Sequence, residues 1–209
     1  MKRKSNKTLV LDFYRNVIRE RNPDLIDDYV SNNYIQHSPL MKDGKSGLRE
    51  AIEYLKKLPN PEVVVKSPIV LAIAEDDYVM LLLDLNFMGK HLSVADLFKV
   101  IDGKVVEHWD AIQDISSAAL SVPLFDVDTN ALLKDDDKIM VQKQLDLRRS
   151  KIHRIIVEGN VVGVQSESDK SGKRYAAYCF VKIVDSKIVQ SWNVEQAIPD
   201  TMYHHNGML

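Results

Sequence analysis

Slid along itself by 83 positions, the chain aligns residues 68–115 with residues 151–198 without a gap. Thirteen of the 48 pairs are identical, among them Glu75/Glu158, Gly89/Gly172, Lys104/Lys187, Trp109/Trp192 and Gln113/Gln196, where ordinary composition gives about 3. Two copies are too few for a solenoid, so the repeat implies two related units in one chain. Each copy reads as a run of strands. "SPIVLAIAE", "YVMLLLDLNF", "HLSVADLFKVI" and "KVVEHWDAIQ" are rich in β-branched and aromatic residues, with turn signals "DD", "MGK" and "DGK" between them. The second block repeats that order, so both are predicted to be antiparallel meanders.

Upstream of the strands the copies differ. In the first, Leu9, Val10, Phe13, Tyr14, Val17 and Ile18 form the stripe of an amphipathic helix that stops before Asn22-Pro23. Pro23 opens a short second helix, "PDLIDDYV". "SNNYIQHSP" reads as a turn, and Leu48, Ala51, Ile52 and Leu55 mark a third helix ending near "LPNP". The second copy has room for one helix, about Asp136–Arg149, after a polar linker. The expected division is a complete unit at 1–115, a linker at 116–135 and a shortened sheet unit at 136–209.

Composition narrows the function. A net charge of −2 with interspersed charges gives no basic face for nucleic acid. Acidic and basic residues interrupt the apolar residues after "MKRKSNK", and no other run is long enough to span a bilayer, so no membrane contact and a cytoplasmic location are expected. The charge runs "KRK" and "DDD" read as solvated. Cys179 is the one cysteine and is read as a small buried hydrophobe. Adjacent His204 and His205, beside Tyr203, lack a third partner for a metal clip, and no metal or cofactor is expected.

Alternation along "KVVEHWDAIQ" puts Val106, His108, Asp110 and Ile112 on one face and Trp109 on the other. A three-residue loop at Ile101-Asp102-Gly103 would set Asp96 opposite His108 on that face, together with Val94, Phe98 and Val100. A two-residue Asp-Gly turn would set it beside Trp109. The first arrangement is favoured, since it groups the apolar residues with the pocket strand. In the second copy Asp96, His108 and Asp110 become Cys179, Ser191 and Asn193. The copy keeps its tryptophan and loses all three acid/base positions.

Three helices followed by a curved antiparallel sheet, with "YIQHSP" before helix three and "DLFKVIDGKVVEHWDAIQ" at the end, resemble the SnoaL-like polyketide cyclase family of the nuclear transport factor 2-like superfamily. The resemblance implies an α+β, cone-shaped fold with a pocket between helices and sheet. Such domains pair sheet against sheet, so the two units are expected to form an intramolecular pseudo-dimer, with further homo-oligomerisation left open. It also implies cofactor-independent acid/base chemistry of the aldol type on a small apolar or carbonyl-containing ligand. Asp110 is the candidate acid/base, and Asp96 and His108 are candidates to position or protonate the carbonyl oxygen. His37, Tyr34 and Gln36 on the "YIQH" segment, Tyr14 on the first helix, and Phe98 and Ile112 on the strands are candidate ligand contacts. Ser38 stands before Pro39 where the superfamily's ketosteroid isomerases place their base, so the resemblance does not extend to steroid isomerisation. A non-catalytic ligand-binding or dimerisation module, and epoxide or ester hydrolysis with Asp110 activating water, are the competing readings.

Overall fold

A computed structural model describes residues 5–59, 67–117, 121–133, 135–144 and 150–209. Helix α1 (Asn6–Phe13) is capped by Ser5, whose side chain accepts from Thr8 N, and runs on into a π-helical turn, Tyr14–Arg19. A 3₁₀ turn begun by Pro23 leads into the short α2 (Ile26–Tyr29). Strand β1 (Val30–Gln36) takes Val30 from the expected second helix and residues 31–36 from the expected turn. The chain then enters α3 (Gly44–Lys57), capped by Asp43, and four strands: β2 (Ile69–Glu75), β3 (Tyr78–Phe87), β4 (Lys90–Ile101) and β5 (Lys104–Asp114). After the linker come α4 (Asp135–Gln144) and strands β6 (Ser150–Glu158), β7 (Val161–Lys170), β8 (Lys173–Val184) and β9 (Lys187–Ala197). The last five residues of the helix expected at Asp136–Arg149, and the "KRK" run, lie outside the described residues. Asp137 of the "DDD" run is buried rather than solvated.

The first sheet has the order β1-β5-β4-β3-β2, and the second β6-β7-β8-β9. All pairings are antiparallel except β1 with β5, which is parallel and sets Gln36 beside His108. The repeat holds in backbone detail. β2–β3 and β6–β7 each carry an extra residue at equivalent places, Val70 and His153, and β4–β5 and β8–β9 carry another at Val106 and Val189.

Helices α1 to α3 close over one face of the first sheet. Val10, Phe13, Val17, Leu48 and Ile52 pack there against Val79, Leu81, Leu83, Phe98 and Val105. The opposite face meets the second sheet. Leu71, Ile73, Met80, Leu82, Leu97 and Trp109 share one core with Ile156, Val161, Tyr178, Phe180 and Val194. Trp109 is fully buried there, and Trp192 is partly buried against the same core. Burial of this kind is the main force holding the units together.

Polar contacts across the interface come in reciprocal pairs, the mark of a two-fold relation. Glu75 accepts from Val157 N at 2.9 Å, while Glu158 accepts from Ala74 N at 2.7 Å. Gln113 accepts from Glu195 N at 3.0 Å, while Gln196 accepts from Ile112 N at 2.8 Å. Every partner differs from its counterpart by the repeat offset, which explains why Glu75/Glu158 and Gln113/Gln196 are identical pairs. The symmetry fails at the tryptophans. Trp192 Nε1 donates to Ser93 Oγ at 2.9 Å. The residue equivalent to Ser93 is Ala176, and Trp109 Nε1 has no partner among the described residues. The Arg154 guanidinium lies 4.0 Å over the Trp109 ring instead.

Candidate active site in the first cone

Strands β4 and β5 carry the acid/base residues, and their register decides whether those residues meet. The hairpin turns through two residues, Asp102 and Gly103, at φ 52° and 73°, with Ile101 paired to Lys104. This is the two-residue Asp-Gly turn rather than the favoured three-residue loop, yet it does not set Asp96 beside Trp109. The extra residue Val106 moves the register by one, so Asp96 pairs with Asp110 and Phe98 with His108. The bulge restores the parity that a two-residue turn would otherwise break, and all three side chains share the concave face.

β1 supplies the residue that orients His108. Gln36 Oε1 accepts from the backbone N–H of His37 at 2.9 Å and of Ser38 at 2.8 Å. Its amide nitrogen donates to the Tyr34 hydroxyl at 2.8 Å. Backbone N–H groups can only donate, so this oxygen must be the acceptor, and His108 Nδ1, 3.0 Å away, must carry a proton. His108 Nε2 therefore faces Asp96 Oδ1, at 3.3 Å, as the nitrogen whose proton can come and go. The ring also stacks on Phe98, with centroids 4.6 Å apart.

Electrostatics set the charges. Burial alone would depress the His108 pKa. The hydrogen bond and charge of Asp96, with the Asp110 charge, outweigh it and hold the imidazole above its ordinary value. Burial pushes the Asp110 carboxyl up to about 6, with His108 opposing the rise and Asp96 adding to it. Asp110 Oδ1 and the Ser38 hydroxyl are buried with no hydrogen bond of standard geometry among the described residues, though the hydroxyl is near enough to oppose the rise in the carboxyl pKa. Tyr14, at the start of the π-helical turn, has its hydroxyl pKa raised by burial and by the Asp96 charge, so it stays a proton donor.

These groups line a cavity of about 680 Å³ between the helices and the sheet. Its walls are apolar, including Phe13, Ile18, Leu48, Ile52, Phe98 and Ile112, and its polar groups gather where Tyr14, Ser38, Asp96, His108 and Asp110 converge. Tyr14, Tyr34, Phe98 and Ile112 line the cavity. Gln36 is not a lining residue and acts through His108. His37 does not line the cavity either. Alternation along β1 turns it to the other face, where it stacks on Trp109 at 4.6 Å and Nδ1 donates to Gly207 O at 3.0 Å. Burial lowers its pKa.

Sequence reasoning passed over Ser38, Met41 and Tyr203, which all line the cavity. For Ser38 the signal was available, since it continues the alternation of Tyr34 and Gln36. Asp96, His108 and Asp110 each offer a ligand atom within 4.8 Å of the others, the one such group that could hold a metal ion among the described residues. In the second unit Cys179 pairs with Asn193 as Asp96 does with Asp110. There α4 packs Val141 against Val162, Val164 and Val181, while Ser191 and Asn193 are exposed.

The family model for SnoaL-like polyketide cyclase matches residues 8–119, more than half of the chain and the whole of the first cone. The chain belongs to the SnoaL-like polyketide cyclase family. No curated protein matches the sequence. Similar solved structures include an NTF2-like protein of unknown function from Cytophaga hutchinsonii, 21% identical, covering 54% of this chain and 95% of that one with a TM-score of 0.42. IdmH, a putative polyketide cyclase from Streptomyces antibioticus, is 12% identical, covering 54% of this chain and 95% of its own with a TM-score of 0.44. A putative polyketide cyclase from Acidithiobacillus ferrooxidans is 18% identical, covering 56% and 94% with a TM-score of 0.41. In this SnoaL-like chain no described helix is long and apolar enough to cross a membrane.

Proposed function

We propose that the first cone catalyses cofactor-independent proton transfer of the aldol type on a small hydrophobic carbonyl compound. The observation that carries this reading is Asp110. Its Oδ1 is buried at the polar end of an apolar cavity, without a hydrogen bond of standard geometry among the described residues, on a carboxyl whose pKa is pushed up to about 6. A base with that value is ionised at neutral pH yet basic enough to take a proton.

In this mechanism the apolar walls hold the substrate with its carbonyl toward the polar end. Asp110 removes a proton α to the carbonyl, and the Tyr14 hydroxyl and the His108 imidazolium face the developing enolate oxygen. The enolate carbon attacks a second carbonyl of the same molecule, forming the new carbon–carbon bond. The resulting alkoxide takes the proton from His108 Nε2, and the proton held by Asp110 returns to His108 to close the cycle. Gln36 keeps the imidazole in the tautomer this requires, and Asp96 stabilises its charged form.

The test is exchange of the α-protons of a medium-chain methyl ketone in D₂O, followed by NMR. Asp110→Asn keeps the shape but accepts no proton at neutral pH, so exchange should fall by ~10²-fold or more with the fold intact. Equal exchange in wild type and a folded Asp110→Asn variant would remove Asp110 as the base. Saturable ketone binding with no exchange in the wild type would mark the cone as a binding module.

A further inference from the structure

The segment that follows β9 leaves the second unit and returns to the first. His204 Nε2 donates to Ser38 O at 2.8 Å, Asn206 Nδ2 donates to Gln36 O at 2.9 Å, and His37 Nδ1 donates to Gly207 O at 3.0 Å. Three consecutive residues of the site segment are thus held by one tail. The tail is itself ordered: Asn206 N donates to His204 Nδ1, which fixes the tautomer whose Nε2 reaches Ser38. Gly207 sits at φ +75°, a conformation glycine takes without the penalty other residues meet. Met208 is buried. Tyr203, 70% exposed, lines the cavity, as do the exposed Leu40 and Tyr54.

The held residues are the ones that set the site. Gln36 fixes the His108 tautomer, and Ser38 sits beside Asp110. Both depend on the backbone at 36–38, because Gln36 Oε1 is oriented by the N–H groups of His37 and Ser38. β1 is the edge strand of its sheet, joined to it by one parallel pairing with β5. Its end is held locally by Asp43 Oδ1, which accepts from Gln36 N at 2.9 Å, and by His37 N, which donates to His108 O at 2.9 Å; the tail adds side-chain and backbone bonds to all three positions.

We infer that the tail at 203–207 is a working part of the first cone's site, delivered by the second unit. Tyr203 is a specificity-determining wall residue at the cavity mouth, and His204 and Asn206 are positioning residues that act through Gln36 on His108. The second copy is kept for this tail as well as for its sheet. The inference extends the proposed acid/base reading, and its test uses no turnover, so the two can fail separately.

Two variants of the full chain test it: Tyr203→Ala, and His204→Ala combined with Asn206→Ala. Affinity for the fluorophore anilinonaphthalene sulfonate reports on the cavity, and ¹⁵N-edited NMR of the histidine rings reports on the His108 Nδ1 proton, assigned by its loss in His108→Gln. Tyr203→Ala should weaken the fluorophore ~3- to 10-fold with the His108 signal unchanged. The double variant should broaden or lose the Nδ1–H signal through faster exchange with water. Fluorophore affinity unchanged in Tyr203→Ala would overturn the wall role. A double variant that keeps the Nδ1–H signal would overturn the positioning role. If the double variant does not fold, Gln36→Glu combined with the Asn206→Ala single variant decides the same point: both must alter the His108 ring signals, and an unaltered spectrum in Asn206→Ala refutes the inference.

Discussion

The two sheets share their turns, bulges and register, yet their concave faces are covered differently. Over the first, α1 to α3 stand back and leave a cavity with Asp96, His108 and Asp110 at its polar end. Over the second, α4 packs Val141 directly onto Val162, Val164 and Val181. The convex faces show the opposite pattern, for there the repeat is kept: Glu75 with Glu158, Gln113 with Gln196 and Trp109 with Trp192 all sit at or beside the interface. At these three pairs, identity in both copies goes with the pseudo-two-fold contact. The acid/base set present in one copy goes with the cavity. That contrast is an internal control that a single-domain relative does not offer.

The largest expected effect asks whether the chemistry can be moved. Cys179→Asp with Asn193→Asp puts both carboxylates at the equivalent positions of the second sheet, where position 193 is exposed rather than enclosed. In an Asp110→Asn background this transplant should recover none of the lost ~10²-fold in α-proton exchange. Recovery would show that the residues suffice without the cone.

Next comes pH. Asp110 has a raised folded-state pKa, so the protonated form is favoured in the folded protein. Its contribution to stability is full below the ordinary aspartate range and is lost as pH rises through about 6. His108, also raised, adds a contribution present below the ordinary imidazole value and lost as pH rises through its folded value. Unfolding by urea between pH 4 and pH 8 should show the stability of wild type falling relative to Asp110→Asn, by roughly 2–3 kcal/mol. Asp110→Asn should abolish that portion and be the more stable protein at pH 8. The equivalent change in the second unit, Asn193→Asp, lies at an exposed position and should leave the profile unaltered. Because buried His37 has a lowered pKa and contributes with the opposite sign, the decisive quantity is the difference between wild type and Asp110→Asn, and a difference that does not change between pH 4 and pH 8 would contradict the assignment.

The interface gives smaller effects. A methyl group on Gly163 would lie 2.6 Å from Met80 Sδ and 2.9 Å from Ile73 Cδ1. Gly163 and Met80 are equivalent positions, so one copy supplies the bulk and the other the space. Gly163→Ala should cost ~1–3 kcal/mol through overpacking. Glu75→Ala should cost ~1 kcal/mol and Glu158→Ala somewhat more, because Glu158 also pairs with Lys7 Nζ at 2.7 Å. In a Lys7→Ala background, which removes that extra pair, unequal losses measured by thermal melting would break the two-fold account.

The smallest effect repairs the symmetry. Ala176→Ser places a hydroxyl at the position equivalent to Ser93, where it can accept from the unpaired Trp109 Nε1. Stability should rise by ~0.5–1.5 kcal/mol, with a shift in Trp109 fluorescence. A loss of stability would mean that Arg154 over the ring already fills the role.

Much of this was legible in the sequence, because the repeat fixes strand order and the alternation of "KVVEHWDAIQ" fixes which residues share the cone. The register was not. Asp102-Gly103 signals a two-residue turn correctly, but the bulge at Val106 has no residue signature, and it is the bulge that returns Asp96 to the concave face. β1 was hidden for another reason. A parallel edge strand with polar residues, "SNNYIQ", lacks the apolar alternation that marks a half-buried strand. Reading it as a turn concealed that His37 and Gln36 face opposite ways. The tail could not be placed at all, since its bonds to Gln36, His37 and Ser38 join residues more than 160 positions apart through backbone groups that every sequence has.

The central claim is that ligand and chemistry belong to the first cone while the second unit supplies only sheet and tail. Isotope-edited NMR of a ¹³C-labelled medium-chain methyl ketone bound to the protein tests it most directly. The account predicts contacts from the ketone to Leu48, Ile52, Phe98 and Ile112, with its carbonyl carbon nearest Asp110 and His108. Contacts confined to residues 151–196 would contradict it.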